Sequence, residues 1–239
     1  MADATRNADP SEVAKFDALA SRWWDPDGEF KPLHEINPLR LGYVAQFAAL
    51  DGAGVVDIGC GGGILSEALA RRGASVTGID MAGEALAVAR LHAQAGGLDI
   101  DYRQGTAEEF ANERPGSADV VTCMELLEHV PEPGRLVAAC AELLRPGGWV
   151  IFSTINRNPK AYALAVLAAE YLLRLLPRGT HDYDRFLKPS ELGAFARDAG
   201  LEVRGISGIR YNPLTSAHAL ADDTDVNYLL AARRPADDG

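Results

Sequence analysis

The chain has 239 residues, of which 47% are hydrophobic and 24% charged, and its formal net charge is −11. This composition is that of an ordinary globular protein, and it excludes a disordered, a collagen-like and a disulfide-stapled chain. The acidic balance argues against nucleic acid as a partner, because phosphate recognition needs a basic surface.

The cysteines and the hydropathy pattern indicate where the protein works. Cys60, Cys123 and Cys140 form no CxxC pair, which fits a reducing compartment and argues against a cysteine-based zinc site. The polar N-terminal residues lack the apolar core of a secretory signal. No apolar run reaches the roughly 20 residues of a membrane-spanning helix. We therefore expect a cytoplasmic protein.

Predicted elements alternate along most of the chain. Residues 1–50 are partly helical in pattern, and from Val55 onward short apolar runs alternate with amphipathic stretches. We predict strands at 55–58, 75–80, 100–104, 118–123, 149–154, 201–210 and 226–232. Helices are predicted at 65–73, 83–97, 136–148 and 189–199.

This alternation predicts an α/β fold with a doubly wound, mainly parallel, seven-stranded sheet. The last two strands follow each other without a helix, so we expect an antiparallel strand at one edge of the sheet. The predicted organisation is one domain at 51–239, preceded by an N-terminal helical lid at 1–50 and interrupted by an apolar helical insertion at 156–188.

A glycine loop follows the first predicted strand. The segment DIGCGGG at 57–63 would let a ligand approach the backbone closely. The dinucleotide fingerprint GxGxxG fails here, because Ile64 and Ser66 stand where its third glycine would fall in the two registers. Asp57 stands two residues before the first glycine, where it disfavours a pyrophosphate and suits a cationic or amino-bearing ligand.

A carboxylate closes the second predicted strand. Asp80 could accept hydrogen bonds from both hydroxyls of a ribose, or it could simply cap the following helix. The glycine loop at this spacing favours ribose binding.

Together these residues resemble the class I S-adenosylmethionine (SAM)-dependent methyltransferases over about 50–155. The resemblance implies SAM as methyl donor and a Rossmann-like sheet. It implies a cofactor-binding set made of Asp57, Gly59, Gly61, Gly63, Asp80, Glu108 and Met124. Thr106 departs from the pattern, since many members of the class carry an acid at that place.

Flanking segments are similar to the ubiquinone-biosynthesis O-methyltransferase family nearly end to end. They are FDALASRWWDPDGEFKPLHEINPLRLGY at 16–43, TCMELLEHVPEP at 122–133, FSTINRN at 152–158 and GTHDYDRFLKPSEL at 179–192. The resemblance implies both O-methylations of a polyprenylated phenol or catechol ring. It also implies that Arg40 contacts SAM, where a guanidinium could hold the methionine carboxylate. Partner proteins of the same pathway and a location at the inner face of the cytoplasmic membrane follow from the same family.

The segment after the fourth strand carries the candidate catalytic groups. If it is helical, Glu125, Glu128 and His129 share one face. His129 is then a candidate general base, oriented by Glu128 or Glu125. The same three side chains could instead hold a divalent cation such as Mg²⁺ or Zn²⁺, or His129 and a glutamate could cap the helix that begins near Pro131.

Other histidines and tryptophans receive weaker interpretations. His34 lies in the predicted lid and His92 on a helix surface, while Trp23 and Trp24 are more typical of packing than of stacking on a substrate ring. The competing functions are a quinone-ring C-methyltransferase and a non-catalytic subunit that binds SAM or lipid.

The insertion is apolar nearly all round between 161 and 176, which a surface helix of a globular protein should not be. Stretch 157–188 also holds six basic residues against three acids, a net of +3 in an acidic chain. A core or dimer-interface helix is one interpretation. The other is a helix lying in the surface of a membrane.

Overall fold

The computed structural model describes residues 7–162, 183–212 and 217–236. Its strands are β1 Gly54–Ile58, β2 Ser75–Asp80, β3 Ile100–Gln104, β4 Ala118–Met124, β5 Leu144–Ile155, β6 Glu202–Asn212, β7 Ala217–Ala221 and β8 Asn227–Arg233. Its α-helices are α1 Pro10–Leu19, α2 Lys31–Phe47, α3 Ile64–Ala70, α4 Gly83–Ala95, α5 Ala107–Glu113, α6 Pro133–Leu143, the single turn α7 Pro159–Ala161, and α8 Pro189–Asp198.

The strands form one sheet in the order β3-β2-β1-β4-β5-β8-β6-β7. The first five are parallel, and β8 lies between β5 and β6, antiparallel to both. The doubly wound α/β fold is thus confirmed. The chain order reverses between β1 and β4, and doubly wound sheets bind their ligands at such a point, beyond the carboxyl ends of the strands.

The antiparallel part is larger than predicted. The described sheet has eight strands rather than seven, because β7 forms a hairpin with β6 at the edge. Its sequence, Ala-His-Ala-Leu-Ala, lacks the β-branched and aromatic residues that usually signal a strand. Pairing with β6 forms it instead, which a local pattern does not reveal.

Two apolar layers cover the sheet. Because side chains alternate along a strand, Val121 and Phe152 pack on the face covered by α5, α6 and α8, while Val120 and Ile151 pack on the face covered by α2 and α3. All four are essentially inaccessible to solvent. The helices therefore hold the ends of β1 and β4, between which the chain order reverses, in fixed positions.

No helix among the described residues is long and apolar enough to cross a membrane. Most of the apolar stretch 161–176 lies outside the described residues. The interpretation of that stretch therefore stays a prediction.

Candidate active site

The glycine loop connects β1 to α3 and adopts a backbone that only glycine tolerates well. Gly59, Gly61 and Gly63 have φ angles of 72°, 52° and 88°. The Gly61 amide donates a hydrogen bond of 2.8 Å to Oδ2 of Asp80. This hydrogen bond joins the glycine loop to the end of β2, beside the cavity that lies beyond the strand ends.

Asp57 is the penultimate residue of β1, close to this loop, and is buried. Its carboxylate accepts hydrogen bonds from the hydroxyls of Ser66, at 2.6 Å, and Thr122, at 2.7 Å. Burial raises the pKa of Asp57 to about 6, a rise that the two hydroxyls and the charge of Arg40 oppose. Because Asp57 borders the cavity, its carboxyl group can face a cationic group of a ligand.

Asp80 borders the cavity but does not cap α4, whose N-cap is Ala82 without a side-chain hydrogen bond. Its Oδ1 accepts a hydrogen bond of 2.8 Å from the Ala82 amide, directly before α4. Burial raises the pKa of this carboxyl group, while the backbone donors oppose the rise. Capping of α4 is therefore wrong. Ribose binding stays a prediction, for which each carboxylate oxygen has lone pairs beyond those used here.

Arg40 projects from α2 into the same cavity with only 3% of its surface exposed. It forms an ion pair with Glu125, whose Oε1 also accepts a 2.5 Å hydrogen bond from the Ser153 hydroxyl. The Nε of Arg40 is buried without a hydrogen-bond partner among the described residues. A buried guanidinium with an unused donor fits an incoming carboxylate.

Most of the predicted binding residues meet in one cavity. It is bordered by Arg40, Asp57, Gly59, Gly61, Asp80 and Met124 together with Glu12, Glu125 and His129. Gly63 and Glu108 do not border it. Gly63 is the N-cap of α3 instead, and Glu108 accepts a hydrogen bond of 2.9 Å from the Asn7 side chain.

His129 borders this cavity and contacts a residue that the sequence analysis did not consider. Its Nδ1 lies 2.9 Å from Oε2 of Glu12, on α1. The hydrogen bond with His129 is the main reason that the pKa of Glu12 falls to about 2. The ring of Phe16 meets the imidazole edge-on, at a centroid distance of 5.3 Å. The histidine is thus held by the N-terminal segment.

The segment 124–129 is not a helix, which was the condition under which Glu125, Glu128 and His129 would share a face. Glu125 has a φ of 47°, and only Leu127–His129 form a short 3-10 turn, so the three side chains do not share a helix face. Glu125 is the first residue after β4, where the chain leaves the sheet, and its positive φ is strained for a residue other than glycine.

Because the helix is absent, Glu128 takes a different role from the predicted one. It is buried and accepts a hydrogen bond of 2.7 Å from the Thr154 hydroxyl, away from the cavity border. Burial raises its pKa. Neither Glu128 nor Glu125 contacts the Nδ1 of His129, so the orienting role predicted for them is wrong.

The other roles predicted for these three residues are a metal site and a helix cap. Within residues 7–162, 183–212 and 217–236, no three His, Cys, Asp or Glu side chains converge to hold a metal ion. Glu125, Glu128 and His129 instead contact Arg40, Thr154 and Glu12, respectively. The metal site stays a prediction, whereas capping is wrong: α6 begins at Pro133 without a side-chain cap, and Asn7 accepts the hydrogen bond of the Glu132 amide.

The N-terminal segment covers the glycine loop. The Trp23 ring lies so close that a Cβ added to Gly61 or Gly62 would be 2.1 or 2.2 Å from it. Trp23 also stacks on Phe30, and Trp24 stacks on His92 and donates a hydrogen bond of 2.9 Å to the Gly62 carbonyl. Both tryptophans therefore pack as predicted, and Trp23 also borders the cavity.

Glu12 is the functional candidate that the sequence analysis missed. It precedes the recognised segment that begins at Phe16, and it lies 117 positions from His129. The sequence could have indicated this residue, because at helical spacing Glu12 shares a face with Val13, Phe16 and Ala20. A carboxylate on an apolar helix face is expected to have a buried hydrogen-bond partner.

The chain is similar to known methyltransferases over most of its length. Residues 56–152 match a family model described as a methyltransferase domain. The chain is 62% identical over 230 residues to the ubiquinone biosynthesis O-methyltransferase of Pseudomonas paraeruginosa, covering 96% of this chain and 99% of that protein. The protein of the same name from Thiobacillus denitrificans is 61% identical over 230 residues, with the same coverage.

Solved structures share the fold. The magnesium protoporphyrin IX methyltransferase of Synechocystis PCC 6803 with bound SAH superposes with a TM-score of 0.68 at 21% identity, covering 92% of this chain and 94% of that one. Its structure with bound SAM gives a TM-score of 0.64 at 20% identity, covering 96% and 100%. At such identities the likeness concerns the fold alone.

Proposed function

This chain belongs to the ubiquinone biosynthesis O-methyltransferase family, and from that premise we propose how its residues transfer a methyl group to a phenolic oxygen. The chain is a SAM-dependent O-methyltransferase of ubiquinone biosynthesis. Its proposed acceptors are the phenol and catechol oxygens of polyprenylated rings, at both O-methylation steps. The alternative C-methyltransferase function is not favoured by these relatives.

The cavity suits a SAM molecule. SAM supplies a methyl group on a positively charged sulfur, and Glu12, Asp57, Asp80 and Glu125 put four carboxylates in the cavity wall. In the proposed binding mode, Asp80 accepts the ribose hydroxyls and Asp57 faces the amino group. The buried Nε of Arg40 then donates to the methionine carboxylate.

His129 is the proposed general base. Glu12 is ionised at neutral pH because its pKa is about 2, so its carboxylate accepts the hydrogen bond and Nδ1 carries the proton. In neutral imidazole, Nε2 is then the nitrogen with a lone pair, which can take the proton of a phenol whose ordinary pKa is about 10. This carboxylate-held histidine, in one cavity with the glycine loop and Asp80, is the observation that carries the proposal.

Apolar side chains around the histidine keep water away from the reacting atoms. Val13 and Phe16 of α1, with Leu126 and Val130 beside the 3-10 turn, border the same cavity. A methyl transfer to a phenolate consumes a positive and a negative charge, so a dry site that fixes both partners in line lowers its barrier.

The test is an incubation of the protein with SAM labelled in its methyl group and short-chain prenyl phenols and catechols. We expect label on oxygen for both acceptor types, located by mass spectrometry of the products. Label on ring carbon would support the C-methyltransferase instead, and no transfer to any acceptor would support the non-catalytic subunit.

Peripheral membrane binding through 157–188 is a second part of the proposal, since a polyprenyl acceptor resides in lipid. Three of the basic residues in this stretch have carboxylate partners: Arg157 with Glu191, Lys160 with Asp225, and Arg185 with Asp9. The apolar stretch 161–176 therefore supports the proposal more than the net charge does. A chain docked on the cytoplasmic side of the inner membrane would work beside other ubiquinone-biosynthesis proteins.

Deleting 161–176 is expected to abolish binding to anionic liposomes, because the remaining surface is acidic and repelled by them. The measurement is co-sedimentation with liposomes, and the matched control replaces the same residues with a glycine-serine linker of equal length. SAM binding by both variants verifies that they are folded. Undiminished sedimentation of the folded deletion variant would contradict the membrane assignment.

A further inference from the structure

Gly62 is a glycine that neither the predicted cofactor-binding set nor its own backbone requires. Gly59, Gly61 and Gly63 are the loop glycines of that set, and each of them has a positive φ. Gly62 lies between the last two and has no positive φ, so its backbone conformation does not itself demand glycine. The absence of a side chain at this position therefore has another cause.

The ring of Trp23 supplies that cause. A Cβ added to Gly62 would lie 2.2 Å from Cγ of Trp23 and 2.4 Å from its Cδ1, whereas Cβ atoms in proteins essentially never lie closer than 3.0 Å to a non-bonded neighbour. The ring is 5% exposed, and Phe30 stacks on it at a centroid distance of 3.9 Å, so the indole is confined. Gly62 is thus the residue that lets the indole lie on the loop backbone.

Trp24 holds the same glycine through its carbonyl group. The Nε1–H of Trp24 donates the hydrogen bond of 2.9 Å to the Gly62 oxygen, and its ring stacks on His92 of α4 at a centroid distance of 3.5 Å. Nδ1 of His92 in turn lies 2.6 Å from Oε1 of Glu67, a buried residue of α3. The indole that holds the loop is therefore fixed by α4 directly and by α3 through His92.

A second set of contacts joins the loop to β2. The Gly59 and Cys60 amides donate hydrogen bonds of 2.8 and 3.1 Å to the Ile79 carbonyl, beside the hydrogen bond from Gly61 to Asp80. Four glycines within 59–63 make this loop costly to order, because glycine loses more conformational freedom than any other residue. A loop that is already ordered when its ligand arrives avoids that cost at binding.

We propose that Trp23 and Trp24 are positioning residues for SAM: they hold the glycine loop in the conformation to which the cofactor binds, acting on Gly62 from its Cα and from its carbonyl. This assignment rests on the proposed binding of SAM at this loop. Trp23 also borders the cavity, whereas Trp24 and Gly62 do not. An effect of Trp24 or Gly62 on SAM therefore passes through the loop and not through contact with the cofactor.

The first test is the Kd for SAM, measured by calorimetric titration. Trp24→Phe keeps a ring for His92 but loses the N–H donor, and binding should weaken by about 2- to 10-fold, the range of one neutral hydrogen bond. Trp23→Ala and Gly62→Ala should each weaken it by about 10-fold, the cost of ordering one additional residue at binding. In Trp24→Phe and Gly62→Ala, kcat at saturating SAM should stay within about threefold of the wild type. An unchanged Kd in folded Trp24→Phe and Gly62→Ala would overturn the proposal.

A double-mutant cycle separates the contact with Trp23 from a general loss of stability. The three atoms nearest to a Cβ at Gly62 all belong to the Trp23 ring, so in a Trp23→Ala background Gly62→Ala should change Kd by less than about twofold. Gly63→Ala is the matched control, because its φ of 88° and its closeness to the Tyr102 hydroxyl make it damaging in both backgrounds. A loss from Gly62→Ala that is equal in both backgrounds would overturn the role of Trp23.

Hydrogen exchange gives an answer that depends neither on SAM nor on turnover. Without SAM, a peptide covering 59–66 should exchange its amide hydrogens faster in Trp23→Ala and Trp24→Phe than in the wild type, while a peptide covering 133–143 of α6 should not change. Equal exchange of the loop peptide in all three proteins would contradict the proposal. Thermal melting verifies the fold of each variant, and Trp24→Phe carries the test if Trp23→Ala does not fold.

Asp80→Ala distinguishes this proposal from the binding site on which it rests. An unchanged Kd for SAM in Asp80→Ala would show that SAM does not bind at this loop, and it would overturn both. A weakened Kd in Asp80→Ala together with wild-type Kd in Trp24→Phe and Gly62→Ala would overturn the positioning role alone.

Discussion

Replacing His129 with alanine is expected to lower kcat by about 10²- to 10⁴-fold, the usual contribution of a general base. The Kd for SAM should change by less than about threefold, because His129 contacts none of the groups proposed to bind SAM. Kinetics with a prenyl catechol and calorimetric titration with SAM measure the two quantities separately.

Two further variants sharpen this result. His129→Asn can still contact Glu12 from the Nδ1 position but has no group at the place of Nε2, so it should be as inactive as the alanine variant. His218→Ala is the matched control, since His218 lies on β7, away from the cavity. Turnover by His129→Asn at the wild-type rate would show that the base lies elsewhere.

Replacing Asp80 with alanine is expected to weaken SAM binding by at least about 100-fold, which corresponds to about 2.7 kcal/mol. The variant loses the proposed ribose contacts, and it also leaves the amides of Gly61 and Ala82 without their carboxylate partner. Hydrogen bonds to a charged group contribute about 1.5–3 kcal/mol each, so the loss of several of them supports this magnitude.

The measurement for Asp80 is calorimetric titration with SAM and with its demethylated product. At saturating SAM, kcat should fall much less than in the His129 variants, because Asp80 does not touch the acceptor. Asp101→Asn is the control, as Asp101 is a half-exposed carboxylate on β3 that pairs with Arg103. A change of Kd below about threefold in Asp80→Ala would refute the ribose assignment.

Local pattern was sufficient for the strands of the parallel half but not for all of its helices. Helix α5 was not predicted, and the helix predicted at 136–148 ends at Leu143, before β5 begins at Leu144. Strands β2 and β3 have the predicted bounds, because Gly and Asp residues mark their ends and their apolar runs are short. The glycine loop, Asp57 and Asp80 were also found from spacing alone. Each of these features depends on residues that are neighbours in sequence.

Features that depend on distant partners were missed. Strand β7 exists because it pairs with β6, and the 124–129 segment is not helical because Glu125 bends away to meet Arg40 and Ser153. The partner of His129 lies 117 positions earlier in the chain. A periodicity of charged residues could suggest the trio at 125–129 but not the directions in which those side chains point.

The position of β8 has a consequence for how the chain is made. Residues of β8 from Tyr228 to Ala232 are at most 1% exposed, and the strand separates β5 from β6 along seven residue pairs with β5. Because a domain folds as a unit, the sheet cannot be completed before β8 has been synthesised. Until then the edge of β5 is unpaired, and such an edge is a template for aggregation. Protection of the nascent chain is therefore needed longest on that edge, until residue 233 has left the ribosome.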